Sequence, residues 1–271
     1  MTRESRQGYV AGMTDRAALA TQFLRLHQDE KLLTLVNVWD VVSARVVAAA
    51  DGTVALATAS HSIAASRGYE DGENIPVDEM LEEVRRISQA TDLPVTADLE
   101  AGYGDAGDTV RKAIGLGVVG ANIEDQMKPL DEAVAAVRAV MSAAQAEGVP
   151  DFVLNARTDA LLRAGDRPRA DVLADVVERG RAFLDAGAPV VFVPGRLDEG
   201  EVASLVDAFG RQRLTLIGVP GLPPLARLQQ LGVARVSFGP IPQRVALTAL
   251  QKLAEDLSTG GGVPEGTRQL N

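Results

Sequence analysis

The chain has 271 residues, a length that fits one large α/β barrel or two ordinary domains. Its formal net charge of −10 and the lack of a basic cluster exclude a typical nucleic-acid binder and disfavour contact with anionic membranes. It contains no cysteine, which excludes disulfides and thiolate sites, and neither a signal-peptide core nor a membrane-length apolar run, so we expect a cytoplasmic protein.

Short apolar runs recur in a regular rhythm along the chain. We interpret residues 1–12 as a disordered N-terminal extension, because a helical pattern begins at Met13. Each later run is rich in Val, Ile, Leu or Thr and has the length of a strand. The runs cover residues 32–38, 54–59, 94–100, 118–124, 152–157, 189–194, 214–219 and 234–239. Segments with helical periodicity lie between them, for example residues 78–90, 131–148 and 173–187.

This alternation of strand and helix predicts the fold. Eight repeats in about 250 residues predict a parallel sheet closed into a (β/α)8 TIM barrel. An open doubly wound sheet is the alternative, but it usually begins with a G-x-G-x-x-G turn, and the turn here reads WDVVSA (39–44). We place the barrel domain at residues 13–257 and interpret residues 258–271 as a flexible C-terminal tail.

Polar residues gather at the carboxyl ends of the predicted strands, where barrels of this kind have their active sites. The third run ends in Asp98 and Glu100, whose side chains face the same side of an extended chain. The fourth run adds Glu124. Oxygen ligands without sulfur favour Mg²⁺, with Mn²⁺ also possible. The alternative is that these acids cap helices or pair with surface arginines.

Three further residues are candidates for binding or proton transfer. Arg157 ends the fifth run and suits a substrate carboxylate, although a salt bridge to Asp159 or Glu124 explains it equally well. His61 follows the second run and is a candidate acid–base group or a structural hydrogen-bond partner. Tyr103 lies in a glycine-rich turn that either approaches a ligand or is simply flexible.

Seven segments combine in order into one pattern. They are NVWDVVSARV (37–46), ATASHSIAASRGYEDGE (57–73), PVTADLEAGYG (94–104), GANIEDQ (120–126), NARTDA (155–160), VFVPG (191–195) and LGVARVSFGP (231–240). From about Met13 to residue 255 the chain resembles the isocitrate lyase/phosphoenolpyruvate mutase superfamily. It is most similar to members labelled carboxyvinyl-carboxyphosphonate phosphonomutase-like or 2-methylisocitrate lyase-like. The resemblance implies a barrel whose C-terminal helix is swapped between subunits of a homodimer or homotetramer.

The resemblance also implies a metal site. It implies that Asp98 is the direct Mg²⁺ ligand and that Asp71, Glu100 and Glu124 hold the waters of the metal. The expected substrate is a small 2-oxo acid or a related carboxylate. When a C–C or P–C bond breaks, Mg²⁺ stabilises the enolate that forms.

The same resemblance assigns the substrate-binding residues. It implies that Arg157 binds the substrate and that Ala59, Ser60 and His61 receive its carboxylate. We add Asn155, which lies at the end of the same predicted strand as Arg157. We expect no nucleic-acid or membrane partner.

The chain differs from the family in the segments that determine which reaction a member catalyses. The lyases carry a Lys-Lys/Arg-Cys-Gly-His loop after the fourth strand, whereas this loop reads EDQMKPLDE (124–132). Lys128 is its one counterpart of the mutases' lysine, and no Asn follows it. PGR (194–196) replaces a lyase glutamate, and Thr58 replaces an aromatic residue.

These departures narrow the expected activity. We expect a Mg²⁺-dependent lyase that breaks a C–C or P–C bond, or a decarboxylase, with His61 or Tyr103 in place of the missing proton donor. A phosphonomutase acting on a carboxyphosphonate is one alternative. A non-catalytic barrel that binds a metabolite is the other.

Overall fold

The computed structural model describes residues 3–270, and it describes side chains in the first helix from Arg16 onwards. The first helix begins at Arg3, ten residues before the predicted start at Met13. Met1, Thr2 and Asn271 lie outside the described residues. The division into an extension (1–12), a barrel and a tail (258–271) stays a prediction. Within residues 3–270, no helix is long and apolar enough to cross a bilayer.

Helices and strands alternate along the chain. The helices are α1 (Arg3–Gln28), α2 (Val41–Ala48), α3 (Ser60–Ser66), α4 (Val77–Ser88), α5 (Ala106–Gly115), α6 (Leu130–Ala146), α7 (Arg169–Asp185), α8 (Glu199–Phe209), α9 (Leu225–Leu231) and α10 (Ile241–Ser258). The strands are β1 (Leu33–Leu35), β2 (Asn37–Val38), β3 (Leu56–Thr58), β4 (Val95–Asp98), β5 (Gly120–Glu124), β6 (Val153–Arg157), β7 (Val190–Val193), β8 (Leu214–Ile217) and β9 (Arg235–Ser237). Each strand lies inside one of the eight predicted runs.

The strands form one parallel sheet that is nearly closed into a barrel, in the order β1-β9-β8-β7-β6-β5-β4-β3-β2. The first predicted run is interrupted at Val36 and supplies both edges. Its first half pairs with β9 (Leu33 opposite Arg235), and its second half pairs with β3 (Asn37 opposite Ala57). The predicted TIM barrel is therefore confirmed, and the open doubly wound sheet is wrong. The swapped helix stays a prediction.

Small and aliphatic side chains let the barrel close tightly. Gly120 begins β5, and a Cβ atom there would lie 2.8 Å from the ring of Phe23 and 2.9 Å from the carbonyl oxygen of Val153. Since Phe23 belongs to α1 and is fully buried, that helix covers the amino ends of the strands. The opposite end of the barrel, where the strands finish, is left open for a site.

Candidate active site

A cavity of about 230 Å³ lies at the carboxyl ends of the strands. Residues from the loops after β3, from β4 and from β6 line one side of it. Six predicted site residues are among them: Ala59, Ser60, His61, Asp71, Asp98 and Arg157. A neighbouring cavity of about 260 Å³ shares Ser60, Asp71 and Arg157 with the first and adds Glu100 and Glu124. The carboxyl ends of the strands therefore bring together residues that are far apart in the sequence, as predicted for a barrel of this kind.

Asp98 is held in a fixed position by the turn that follows β3. Its Oδ2 atom accepts hydrogen bonds from the Ser60 backbone N–H at 3.1 Å and from the Ser60 hydroxyl at 2.8 Å. The backbone N–H of Asp98 donates to the Thr58 hydroxyl at 2.9 Å. Thr58, which stands where the family has an aromatic residue, thus fixes the end of β4. The carboxylate is oriented before any ligand binds.

Glu100 is the most costly acid of the site. Its backbone has φ +55°, a left-handed conformation that is unfavourable for a residue with a Cβ atom. Its side chain is 4% exposed, and its Oε1 atom is buried without a hydrogen-bond partner. Burial, followed by the charges of Asp98 and Asp71, raises its pKa to about 8. Such a group is suited to an additional positive partner.

Glu124 and Arg157 form an ion pair across neighbouring strands. Arg157 Nη1 lies 2.7 Å from Glu124 Oε2, and Arg157 Nε donates to Asp159 Oδ1 at 2.8 Å. Both salt bridges that the sequence left open are thus formed, while Arg157 also lines the cavity. Burial raises the pKa of Glu124 to about 7, although the Arg157 charge opposes this shift.

The acidic cluster (Asp71, Asp98, Glu100 and Glu124) fits a hydrated divalent cation. Within residues 3–270, no three Asp, Glu or His side chains converge closely enough to ligate an ion directly. Mg²⁺ usually keeps several of its waters and takes one or two carboxylates from the protein. The orphaned Glu100 oxygen and the fixed Asp98 carboxylate suit that arrangement, in which water fills most of the coordination sphere.

A polar layer lies beneath the cavity, and the sequence did not reveal it. Asn155 Nδ2 donates to Asn122 Oδ1 at 2.7 Å, and the Thr215 hydroxyl donates to Asn155 Oδ1 at 2.6 Å. Asn122 lines the cavity, whereas Asn155 is fully buried and does not line it. The structure therefore places Asn155 in support of Asn122 instead of against a substrate. Asn122 was detectable as the residue two before Glu124, on the same face of the strand.

Arg235 reaches this layer from β9 across the barrel. It is fully buried, and its Nη2 atom approaches Asn122 Oδ1 at 3.4 Å. Its Nε and Nη1 atoms have no hydrogen-bond partner among the described residues. Burial lowers its pKa to about 10, although the Asp98 charge opposes this shift. The guanidinium of Arg235 thus lies beneath the cavity and forms no salt bridge with a carboxylate of the described residues.

The two proposed proton donors occupy different environments. His61 lines the cavity, and its Nδ1 atom lies 3.5 Å from Asp71 Oδ2. The Tyr103 hydroxyl is buried without a partner, and burial followed by the Glu100 charge raises its pKa. Tyr103 lines neither cavity, and its backbone N–H donates to Glu73 Oε1 at 2.6 Å. The geometry favours His61 over Tyr103 as the donor.

The loop after β5 is fixed by a second ion pair. Asp125 pairs with Arg179 at 3.1 Å and accepts a hydrogen bond from the Asp159 backbone N–H at 2.9 Å. Lys128, the one counterpart of the mutase lysine, lines a separate cavity behind Glu124 and neither cavity of the site. The loop after β5 therefore contributes no lysine to the lining of the site.

Much of the remaining lining of the first cavity is apolar and was not predicted from the sequence. Its large apolar residues are Leu162, Phe192, Pro194, Ile217 and Val219, which we call the apolar wall. Phe192 and Ile217 belong to β7 and β8, and the other three lie in the loops after β6, β7 and β8. Their types are ordinary for strands and loops, so only the barrel geometry shows that they face the acidic cluster.

Comparisons with known proteins agree on one family. The family model described as phosphoenolpyruvate phosphomutase matches residues 23–258. Oxaloacetate decarboxylase of Paraburkholderia xenovorans is 30% identical over 89% of this chain and 83% of its own. A crystal structure from Burkholderia cenocepacia, assigned as a phosphonomutase, is 40% identical with a TM-score of 0.82 and covers 87% of this chain and 98% of its own. The structure of 2,3-dimethylmalate lyase, a PEP mutase/isocitrate lyase superfamily member, is 28% identical with a TM-score of 0.80 over 92% of each chain.

Proposed function

Since the chain belongs to the isocitrate lyase/phosphoenolpyruvate mutase superfamily, whose members include lyases and mutases, we propose that it is a Mg²⁺-dependent lyase acting on a small 2-oxo acid or related carboxylate. The reaction is cleavage of a C–C or P–C bond, or decarboxylation. The single observation that carries this proposal is the acidic cluster with its buried, orphaned Glu100 oxygen, which lies beside Arg157 at the cavity.

The residues divide the work between cation and substrate. Asp98 would ligate the ion directly, and Asp71, Glu100 and Glu124 would bind its waters. When bound, Mg²⁺ supplies Lewis-acid stabilisation of the negative charge that develops on the 2-oxo oxygen as an enolate forms. Arg157, held by Glu124 and Asp159, would orient a substrate carboxylate.

The substrate carboxylate would lie against the turn from Ala59 to His61. Ser60 already fixes Asp98 there, so binding at this turn and binding at the acidic cluster are geometrically linked. His61 would hold the proton that the product carbon receives. Its exposure to the cavity supports this role, and replacing it by Phe should lower turnover by about 100-fold or more. Full turnover of His61→Phe would dismiss it.

A phosphonomutase is the second candidate. The match to the phosphomutase family model and the 40% identity to the Burkholderia structure favour it. Lys128 lines neither cavity of the site, which counts against it. Phosphorus NMR separates the two functions, because a mutase converts one phosphorus species into another without releasing an oxo acid. A purely ligand-binding barrel has no specific support, since the charged residues of the site are all present.

The decisive test is a substrate screen with Mg²⁺. Oxaloacetate, its 2- and 3-substituted relatives, methylisocitrate and phosphonopyruvate are incubated with the protein, and NMR detects pyruvate or another oxo acid. We expect the wild type to release an oxo acid from at least one of these substrates, and Asp98→Asn to release none. Asp92→Asn is the matched control, because Asp92 is an exposed aspartate in the turn before β4. If no oxo acid appears with any substrate, the lyase proposal is wrong.

We further propose that the protein functions as a homodimer or homotetramer in which α10 is swapped between subunits. Gln243 is the one buried residue of this helix, whereas Val245, Leu247 and Leu250 are 64%, 55% and 60% exposed. A second copy that covers these side chains would remove them from water. Leu250→Asp should shift the mass measured by light scattering to that of a monomer. An unchanged mass would contradict the swap.

A further inference from the structure

We infer that the substrate carries an alkyl substituent of several carbons on the carbon next to its 2-oxo group, and that the apolar wall binds it. This inference rests on the proposed function, because it takes the acidic cluster and Arg157 as the site of the 2-oxo acid end. It adds the chemistry of the other end of the molecule.

The cavity has two chemically different halves. Strands β4, β5 and β6 present polar groups at their carboxyl ends, namely Asp98, Glu124 and Arg157. On the neighbouring strands, β7 presents Phe192 and β8 presents Ile217 to the cavity. The register places Phe192 directly opposite Arg157 on the neighbouring strand. A substrate whose carboxylate is bound by Arg157 therefore meets an apolar side chain, Phe192, on the adjacent strand.

Alternation along the strands makes this surface continuous. Phe192 and Pro194 are two residues apart, as are Ile217 and Val219, so each pair faces the same side. All four line the cavity. Gly218, between the last two, faces away and accommodates the ring of Phe238, because a Cβ atom there would lie 2.3 Å from Phe238 Cε1. Strands β7 and β8 thus place Phe192 and Ile217, and Pro194 and Val219, just after each strand, extend the same surface.

Leu162 extends the wall to the mouth of the cavity. Its side chain is 55% exposed, although it follows a buried leucine and lies next to charged residues. It lines both cavities of the site. Single exposed aliphatic side chains are common on protein surfaces, and what distinguishes Leu162 is its place in the lining of both cavities. Leu162 is positioned to close over an apolar substituent.

A carboxylate in the same place would have no partner. Within residues 3–270, Arg157 is the one Lys or Arg that lines the first cavity, and it already pairs with Glu124 and Asp159. A charged group that leaves water without a partner is strongly disfavoured. A third carboxylate placed against the apolar wall is therefore disfavoured, whereas each buried CH₂ group should tighten binding by about fourfold.

Binding of a 2-oxo acid series to the Mg²⁺-loaded protein tests the inference by calorimetry. The series is pyruvate, 2-oxobutyrate, 2-oxopentanoate and 2-oxohexanoate. We expect Kd to fall by about fourfold per CH₂ group, which is roughly 60-fold over the series. Equal Kd values, or tighter binding of 2-oxoglutarate than of 2-oxopentanoate, would overturn the inference and leave the proposed function standing. If no member of the series binds, both are wrong.

Two variants locate the effect. Val219→Asp should abolish the gain per CH₂ group, because it places a charge in the wall. Leu162→Ala should reduce the gain for the longest acids, and it alters an exposed side chain on which folding does not depend. Val54→Asp is the matched control, since Val54 is 39% exposed and precedes β3 at the amino end of the barrel. A full gain per CH₂ group in both wall variants would show that the substituent binds elsewhere.

Discussion

Replacing Glu100 by Gln should stabilise the metal-free protein, and by more as the pH rises. The pKa of Glu100 is raised from an ordinary value of 4.5 to about 8, first by burial and then by Asp98 and Asp71. Each pKa unit corresponds to about 1.4 kcal/mol, so the fully ionised side chain costs the folded state about 5 kcal/mol. Glutamine has a similar shape and does not ionise.

The sign follows from where the proton is held. Between pH 4.5 and about 8, the folded chain keeps the proton on Glu100 while the unfolded chain loses it. The folded state thus binds more protons, and the free energy of unfolding falls as pH rises, by up to about 1.4 kcal/mol per pH unit. The contribution is fully present below pH 4.5 and is lost above about pH 8. The advantage of the variant should be near zero at pH 4.5, about 3 kcal/mol at pH 7 and about 5 kcal/mol at pH 9.

Urea unfolding followed by circular dichroism, in EDTA and at one protein concentration, measures this difference from pH 5 to 9. Glu178→Gln is the matched control, because Glu178 is exposed on α7. Saturating Mg²⁺ should reverse the order, since an ion that binds the ionised cluster stabilises the wild type more than a variant that has lost one of its four carboxylates. Parallel pH profiles for the wild type and Glu100→Gln in EDTA would refute the reasoning, because they would show that Glu100 ionises without penalty.

Three further changes test the rest of the site. Asp98→Asn should weaken Mg²⁺ binding by at least about 100-fold in calorimetry, since the fixed carboxylate is lost; unchanged affinity would contradict its role as the direct ligand. Arg157→Lys should raise KM by about 10-fold with a smaller effect on kcat, because a point charge cannot bind a carboxylate in two-pronged fashion. Arg235→Met should raise the free energy of unfolding by about 1 to 3 kcal/mol while lowering turnover, because it removes an unpaired buried charge beside Asp98. A destabilised Arg235→Met would show that the guanidinium is satisfied.

The sequence predicted the barrel because its signals are local. Each strand is a short apolar run, and a polar residue at the end of a strand remains there in the fold. For this reason the sequence alone places Asp98, Glu124 and Arg157 at one end of the barrel. The break at Val36 was not predictable, since the run from 32 to 38 is continuous in the sequence and only the structure divides its pairing between β9 and β3.

Features that depend on three-dimensional register could not be predicted. Asn155 shares a face of β6 with the site residue Arg157, yet it lies two residues earlier and is buried against Asn122 and Thr215. Tyr103 follows the acidic run, yet its hydroxyl is directed into the core. Phe192 resembles an ordinary core residue, and only the pairing of β6 with β7 places it opposite Arg157.

Two of the most unfavourable buried charged residues of this chain lie at one cavity. Glu100 combines a left-handed backbone, a raised pKa and an orphaned oxygen, and Arg235 is an unpaired guanidinium in the floor below. Each feature destabilises the folded protein, and selection for stability alone would replace it. Destabilising features of this kind cluster at functional sites. Their signs are complementary to a ligand pair: the acids favour a cation, and Arg157 favours an anion. A protein with a net charge of −10 can thus receive a carboxylate substrate, because the cation that neutralises the acidic cluster also attracts the anion.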